Sequence, residues 1–298
     1  MSGRHTLILR QSFLPVLTVA AVLLVVWYAA AIKMNATWTY DQAARAGTQP
    51  SFSEVVSDTM QQDRPLLPVP HQVASELWKT TVLKKITSKR SMIYQGTITL
   101  KTTLWGFALG IVVGVSMAAI IVLSRVGRLS LMPWAIISQT IPIVALAPMI
   151  VILSNAAGAG SLLVPKAIIA AYLSFFPVMV SMVKGLTSPD HMQLDLLRTY
   201  GAKKSAVFWK LRVPASMPYF FASLKVSVAA AFVGAVVGEL STSAISGLGA
   251  RMLIGSQFGE PMIMWAALFA AAILAALLIF TVGAIEKILR RTMGGQPV

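Results

Sequence analysis

The sequence predicts an all-α membrane protein of about six transmembrane helices, and three observations carry that prediction. The chain of 298 residues is 56% hydrophobic and only 12% charged, with a mean hydropathy of +0.75. An ordinary globular chain is about a quarter charged, so this one cannot cover a compact body with polar surface. Its apolar residues also gather in runs of about 20, the helical length that crosses a hydrocarbon core of about 30 Å. Finally, 25 Lys and Arg against 10 Asp and Glu give a net charge of +15, and most of these cations flank the apolar runs. The partner implied is membrane lipid and no nucleic acid. A soluble enzyme is excluded. With no cysteine there is no disulfide framework or thiolate site, and His5, His71 and His191 have no ligand spacing, so no metal is expected.

The first apolar run, Phe13 to Ile32, follows Arg4 and Arg10 and ends in Ala29, Ala30 and Ala31, as a cleaved leader does. It is longer than the usual leader stretch of about 7 to 15 residues, so it is expected to remain as the first span, in a region 1–32. Residues 33–101 read as an external segment. Asn35 to Pro70, with Pro50, Pro65 and Pro68, has the composition of an extended connector. From Val73 onward, Trp78, Leu83, Ile86 and Ile93 alternate with Lys79, Lys84, Lys85, Lys89 and Arg90, the pattern of an interfacial amphipathic helix. A core over 102–285 holds five more runs, at about Thr102–Leu123, Leu131–Leu153, Leu162–Val183, Tyr219–Gly238 and Met262–Ile285. Residues 286–298 form a basic tail. Cations in short loops fix orientation. Arg4 and Arg10, Arg125 and Arg128, Lys184 to Arg212, and Lys287 to Arg291 all fall on one side, so both termini and the loop 184–214 are expected in the cytoplasm.

That loop carries the strongest signal. Pro189 suits a first helical turn and Gly201 a helix end, with Leu194, Leu196 and Leu197 giving the helix between them an apolar side. Val207, Phe208 and Leu211 repeat at helical spacing in a second helix. A short helix held out between two spans has little of its own chain to bury against, so it should seat in another protein. No Gly-x-x-x-x-Gly-Lys-[Ser/Thr] occurs, so the chain lacks the nest that holds ATP phosphates.

Within the spans, Ser223, Ser227, Ala231, Gly234 and Gly238 form a small-residue stripe, as do Gly106, Gly110 and Gly114, and such stripes let helix backbones approach closely. Pro142 removes a helical donor just after Gln139 and Thr140. Non-helical backbone at membrane depth survives only against protein or a water-filled cavity, so these residues and Ser174, just before Phe175-Phe-Pro177, are candidates to flank a translocation path. Lys225 and Glu239 are ionisable residues inside a span, which normally face the bundle interior or water. Lys225 is placed to snorkel or to meet Asp195, and Glu239 to line the outer mouth or cap a helix contact.

Asp195-Leu196-Leu197, three residues, Gly201-Ala202, then Leu211-x-Val213-Pro214 resembles the loop written E-A-A-x3-G-x9-I-x-L-P in the permeases of ABC importers. Leu67-Pro-Val-Pro-His, Thr99 to Phe107, Gln139 to Pro148, Phe175-Phe-Pro177 and Gly238-Glu239 resemble the branch that serves nitrate, sulfonates and taurine. The resemblance runs from about Leu67 to Met293. It implies a MetI-like type I importer fold in a bacterial inner membrane and a non-catalytic subunit of an ATP-driven translocase. It also implies a second permease chain, two ATPase subunits carrying ATP and Mg, and a periplasmic binding protein. By the same resemblance Asp195, Leu196, Leu197, Gly201, Ala202, Leu211 and Pro214 couple to the ATPase. A small anionic solute is expected, with a pyrimidine-type vitamin precursor as the alternative and a stand-alone secondary transporter as a distant one. Asp195 stands where the family has glutamate, and Leu196 and Leu197 where it has alanines, which leaves homodimer and heterodimer both open.

Overall fold

The computed structural model describes residues 3–158, 160–242 and 246–292, side chains of 3–13 and 290–292 excepted. The cationic side chains of Arg4, Arg10, Arg290 and Arg291, and the tail beyond Thr292, therefore lie outside the described residues. Twelve helices are described: α1 (Gly3–Ala46), α2 (Phe52–Thr59), α3 (Pro70–Trp78), α4 (Met92–Leu123), α5 (Arg125–Ser138), α6 (Ile143–Ala156), α7 (Leu163–Leu186), α8 (His191–Thr199), α9 (Lys204–Val207), α10 (Val213–Ser241), α11 (Leu248–Gln257) and α12 (Pro261–Thr292). Five helical stretches among the described residues are long and apolar enough to cross a membrane, and six if the bent pair α5 and α6 counts as one span.

The chain divides into two compact units. In the first, Met1–Lys85 with Met252–Phe269, α1 does not end near Ile32 but continues to Ala46. The extended connector expected over Asn35 to Pro70 is thus largely helical, since α2 also lies within it. Polar residues lower hydropathy without opposing helix, so the edge of an apolar run is not the end of a helix. Buried Asn35 holds the intervening chain with two bonds: its Nδ2 donates to the Leu67 carbonyl at 2.9 Å and its Oδ1 accepts from the Leu67 amide at 3.1 Å. Trp27 stacks on Phe269, with ring centroids 5.7 Å apart, and donates from Nε1 to the Pro68 carbonyl at 3.0 Å.

In the second unit, Ile86–Arg251 with Ala270–Val298, α4 starts ten residues before the expected Thr102, capped by Ser91 Oγ accepting from the Ile93 amide. The core is the mutual packing of α4, α7 and α10, and the glycine stripes permit it. A Cβ at Gly106 would lie 2.2 Å from that of Ala170, and one at Gly234 would lie 2.6 Å from Ala170 Cα. Ser227 Oγ donates to the Ser174 carbonyl at 2.6 Å, so the stripe on α10 faces α7. Below these contacts Ile121, Phe175, Val178, Met179 and Leu186 form an apolar cluster.

Two expected elements take a different form. The third run is two helices, α5 and α6, bent by 105° where the chain breaks at Gln139–Pro142. The second loop helix and the fifth span are one continuous helix from Lys204 to Ser241, joined by a π turn over Phe208–Arg212 in which the Val213 amide bonds back to Phe208. Pro214 and Pro218 supply no amide to the first turns of α10.

Candidate functional site

The loop helix α8 opens where the Asp190 amide donates to Gln193 Oε1. It closes at Gly201, whose φ of +68° places it in the left-handed region that glycine enters without a Cβ penalty. No residue of α8 is buried. Leu194 and Leu197 are half-buried, while Leu196 is 57% and Met192 79% exposed. Ala202 and Leu211 are half-buried and Pro214 is exposed. The segment is tied down at its far end, where Arg212 Nη1 donates to the Leu186 carbonyl at 3.1 Å and links the π turn to the end of α7. An apolar helix edge without a buried residue, on a tethered base, is what a docking element requires.

Asp195 and Lys225 do not meet. Asp195 pairs with Arg198 at 2.9 Å on the exposed surface of α8, a contact worth less than about 1 kcal/mol. Lys225 instead reaches Glu286 of α12, Nζ to Oε2, at 2.7 Å. A helical wheel orders residues on one helix, so a partner on another was outside its reach.

At the bend between α5 and α6, Gln139 is half-buried and Thr140 and Pro142 are exposed. An uninterrupted helix would bond the amide of residue 142 to the carbonyl of residue 138, but Pro142 has no amide. The Tyr172 hydroxyl on α7 donates to that same Ser138 carbonyl. Tyr172 was missed in the sequence, where nothing marks it off from other aromatics in an apolar run. Phenylalanine at this position would leave the carbonyl only the long bond it accepts from the Ile141 amide at 3.4 Å, at a cost of about 1 kcal/mol. Tyr172→Phe should therefore lower the melting temperature of the purified protein by a few degrees; an unchanged value would deny the hydroxyl this role. Ser174 is fully buried against α4 and α10, its Oγ 3.4 Å from the Gly106 carbonyl.

Glu239 is also fully buried, and its carboxyl group anchors the chain after α10. It accepts from Thr99 Oγ1 at 2.9 Å and from the Gly249 amide at 2.9 Å. Thr99 Oγ1 accepts in turn from the Leu248 amide at 2.9 Å, Gln95 Oε1 accepts from the Gly247 amide, and Lys166 Nζ lies 3.5 Å from the Ser246 carbonyl. Four side chains from three helices thus hold residues 246–249. Of the two roles expected for Glu239, these contacts are those of a cap on a helix junction. Gln95 escaped notice, and Thr99 was marked only as part of a family motif, because both precede Lys101, which interrupts the apolar run.

A family model described as "Binding-protein-dependent transport system inner membrane component" matches residues 110–295. The chain belongs to this permease family. The permease is 33% identical over 187 residues to the formylaminopyrimidine transport permease protein ThiX of Halalkalibacterium halodurans, covering 62% of this chain and 71% of that one. It is 27% identical over 155 residues to the putative aliphatic sulfonates transport permease protein SsuC of Bacillus subtilis, covering 52% and 54%. The solved MetNI methionine ABC transporter in inward facing conformations matches with a TM-score of 0.50 at 16% identity, over 73% of this chain and 96% of that one. At that identity the likeness concerns the fold alone, and it agrees with the all-α MetI-like arrangement expected. The permease is thus a multi-pass inner-membrane component of an ABC importer, a family that works with ATPase and binding-protein partners. Its relatives are named for more than one solute class, so the nitrate, sulfonate and taurine branch does not follow from them.

Proposed function

We propose that the permease passes a small solute from a periplasmic binding protein to the cytoplasm by alternating access. Two separate ATPase subunits drive it, and a second permease chain completes the cavity. The observation that carries this reading is α8, an amphipathic helix that buries none of its residues and is anchored through Arg212 to α7. In this reading Asp195, Leu196, Leu197, Gly201, Ala202, Leu211 and Pro214 form the seat for the ATPase, which carries ATP and Mg. The basic residues around the loop favour a cytoplasmic place for it and both termini, and Gln139, Thr140, Pro142, Ser174, Lys225 and Glu239 are the residues offered to the path. The motifs favour a nitrate-, sulfonate- or taurine-like anion as solute. The similarity to a permease named for formylaminopyrimidine supports a second reading, a pyrimidine-type vitamin precursor.

Leu196→Asp puts a charge on the exposed apolar edge of α8 without touching the core. It should cut ATPase co-purification and solute uptake by about ten-fold or more, equivalent to about 1.4 kcal/mol of docking energy, while the permease level in the membrane stays constant. Full co-purification with the variant would overturn the docking role. Uptake of labelled taurine against labelled formylaminopyrimidine separates the two solute readings.

A further inference from the structure

A crevice of about 680 Å³ opens between α4, α7 and the helix that runs from α9 into α10. Its walls are apolar, with Leu123 on α4, Met182 on α7, and Phe208 and Trp209 on the π turn, and Lys204 and Ser205 line it where α9 begins. From Lys204 to Phe220, the last lining residue on this helix, is 16 residues or about 24 Å of rise. One leaflet contributes only about 15 Å of hydrocarbon, so the crevice is long enough for an acyl chain with its headgroup.

The charge is arranged to match. Residues 203–217 carry Lys203, Lys204, Lys210 and Arg212 and no acid. Arg212 is committed to the Leu186 carbonyl, whereas Lys203, Lys204 and Lys210 are exposed. Exposed Arg125 lies two residues beyond Leu123, so the end of α4 that lines the crevice is also followed by a cation. An apolar slot between spans with Lys204 on its wall, and further exposed cations beside it in sequence, fits a lipid that is anionic at one end and hydrocarbon at the other. A neutral lipid or an apolar protein segment would leave Lys204 unmatched.

We propose that this crevice binds an anionic phospholipid, with one acyl chain against Met182, Phe208 and Trp209 and the phosphate on Lys204. The site does not depend on which leaflet holds it, nor on α8 docking an ATPase. Its occupant would brace the π turn and so make the position of the loop sensitive to membrane charge.

Trp209 is a built-in reporter, because bromine on an acyl chain quenches an indole only at contact. In phosphatidylcholine nanodiscs, brominated phosphatidylglycerol should quench Trp209 about five-fold more effectively than the same fraction of brominated phosphatidylcholine, the preference expected for one cation near the headgroup. Trp209 is read in a protein whose other six tryptophans are phenylalanine, or as the difference between the wild type and Trp209→Phe if that protein fails to fold. Lys204→Gln should bring the two lipids close to parity, and a companion protein that keeps only Trp105, exposed on α4 about 27 Å from Leu123 along the helix, should show no preference with or without that change. Equal quenching of Trp209 by both lipids with Lys204 intact would overturn the proposal. So would no quenching by either lipid, which would mean that protein fills the crevice.

Discussion

Replacing Gly247 with alanine should strongly destabilise the folded permease. The backbone there has φ of +122°, which side-chain-bearing residues rarely adopt, and a Cβ would sit 2.1 Å from Glu239 Cδ. The conformation and the space are both wrong, and the atom struck is the carboxyl group on which residues 246–249 depend. Escape would require Glu239 to leave a site where it is fully buried and holds the Gly249 amide. A loss of about 3 kcal/mol or more is expected, read as a fall of roughly 10 °C in the melting temperature of the detergent-solubilised protein. Glu239→Gln keeps the shape but can set an amide donor against the Gly249 amide, and should cost about 1 to 3 kcal/mol. If Gly247→Ala melts within a degree or two of wild type, the description of this junction is wrong. If Glu239→Gln melts normally but transports poorly, Glu239 belongs to the path as well.

Enlarging Gly110 should be nearly as damaging, and it can be partly reversed from the other side. A Cβ at Gly110 would fall 1.9 Å from Ser174 Oγ and 3.0 Å from Ser174 Cβ. Gly110→Leu must push α4 away from α7, disturbing the flanking contacts at Gly106 and Gly114, and should cost roughly 3 kcal/mol or more. Gly110→Ala meets mainly the Ser174 side chain. Ser174→Gly removes that obstacle, so the double variant should melt well above Gly110→Ala alone. Because Ser227 bonds the Ser174 carbonyl rather than its side chain, the second change leaves that link to α10 in place. Strictly additive losses in the double-mutant cycle would show that the two residues do not share this contact.

The parts legible in the sequence are those governed by one helix at a time. Apolar runs located the spans, three- and four-residue spacing found the glycine stripes, and Gly201 marked the end of α8. What escaped depended on a second helix or on geometry that hydropathy does not encode. Glu286 takes Lys225 from 61 positions away, and Tyr172 serves a carbonyl on another helix. Pro142 announced a lost helical bond but not an angle, since a proline kink and a 105° bend share one composition. Hydropathy set the edges of α1 and α4 too tightly, because polar residues outside the hydrocarbon go on being helical. Short α11 was not anticipated, as Gly249 and Gly255 within it lower its helix propensity.

The π turn at Phe208–Arg212 also changes how this helix can be compared with its kin. The bond from the Val213 amide to the Phe208 carbonyl spans one residue more than a regular turn, so everything before Phe208 is rotated by about 100° relative to a regular helix drawn back from Ser241. A homologue one residue shorter here would align without a visible flaw elsewhere, yet would aim the start of its α9 in another direction. Indels of a single position in this stretch therefore count as steering changes, and length at residues 208–212 is the first thing to match before exchanging loops between permeases.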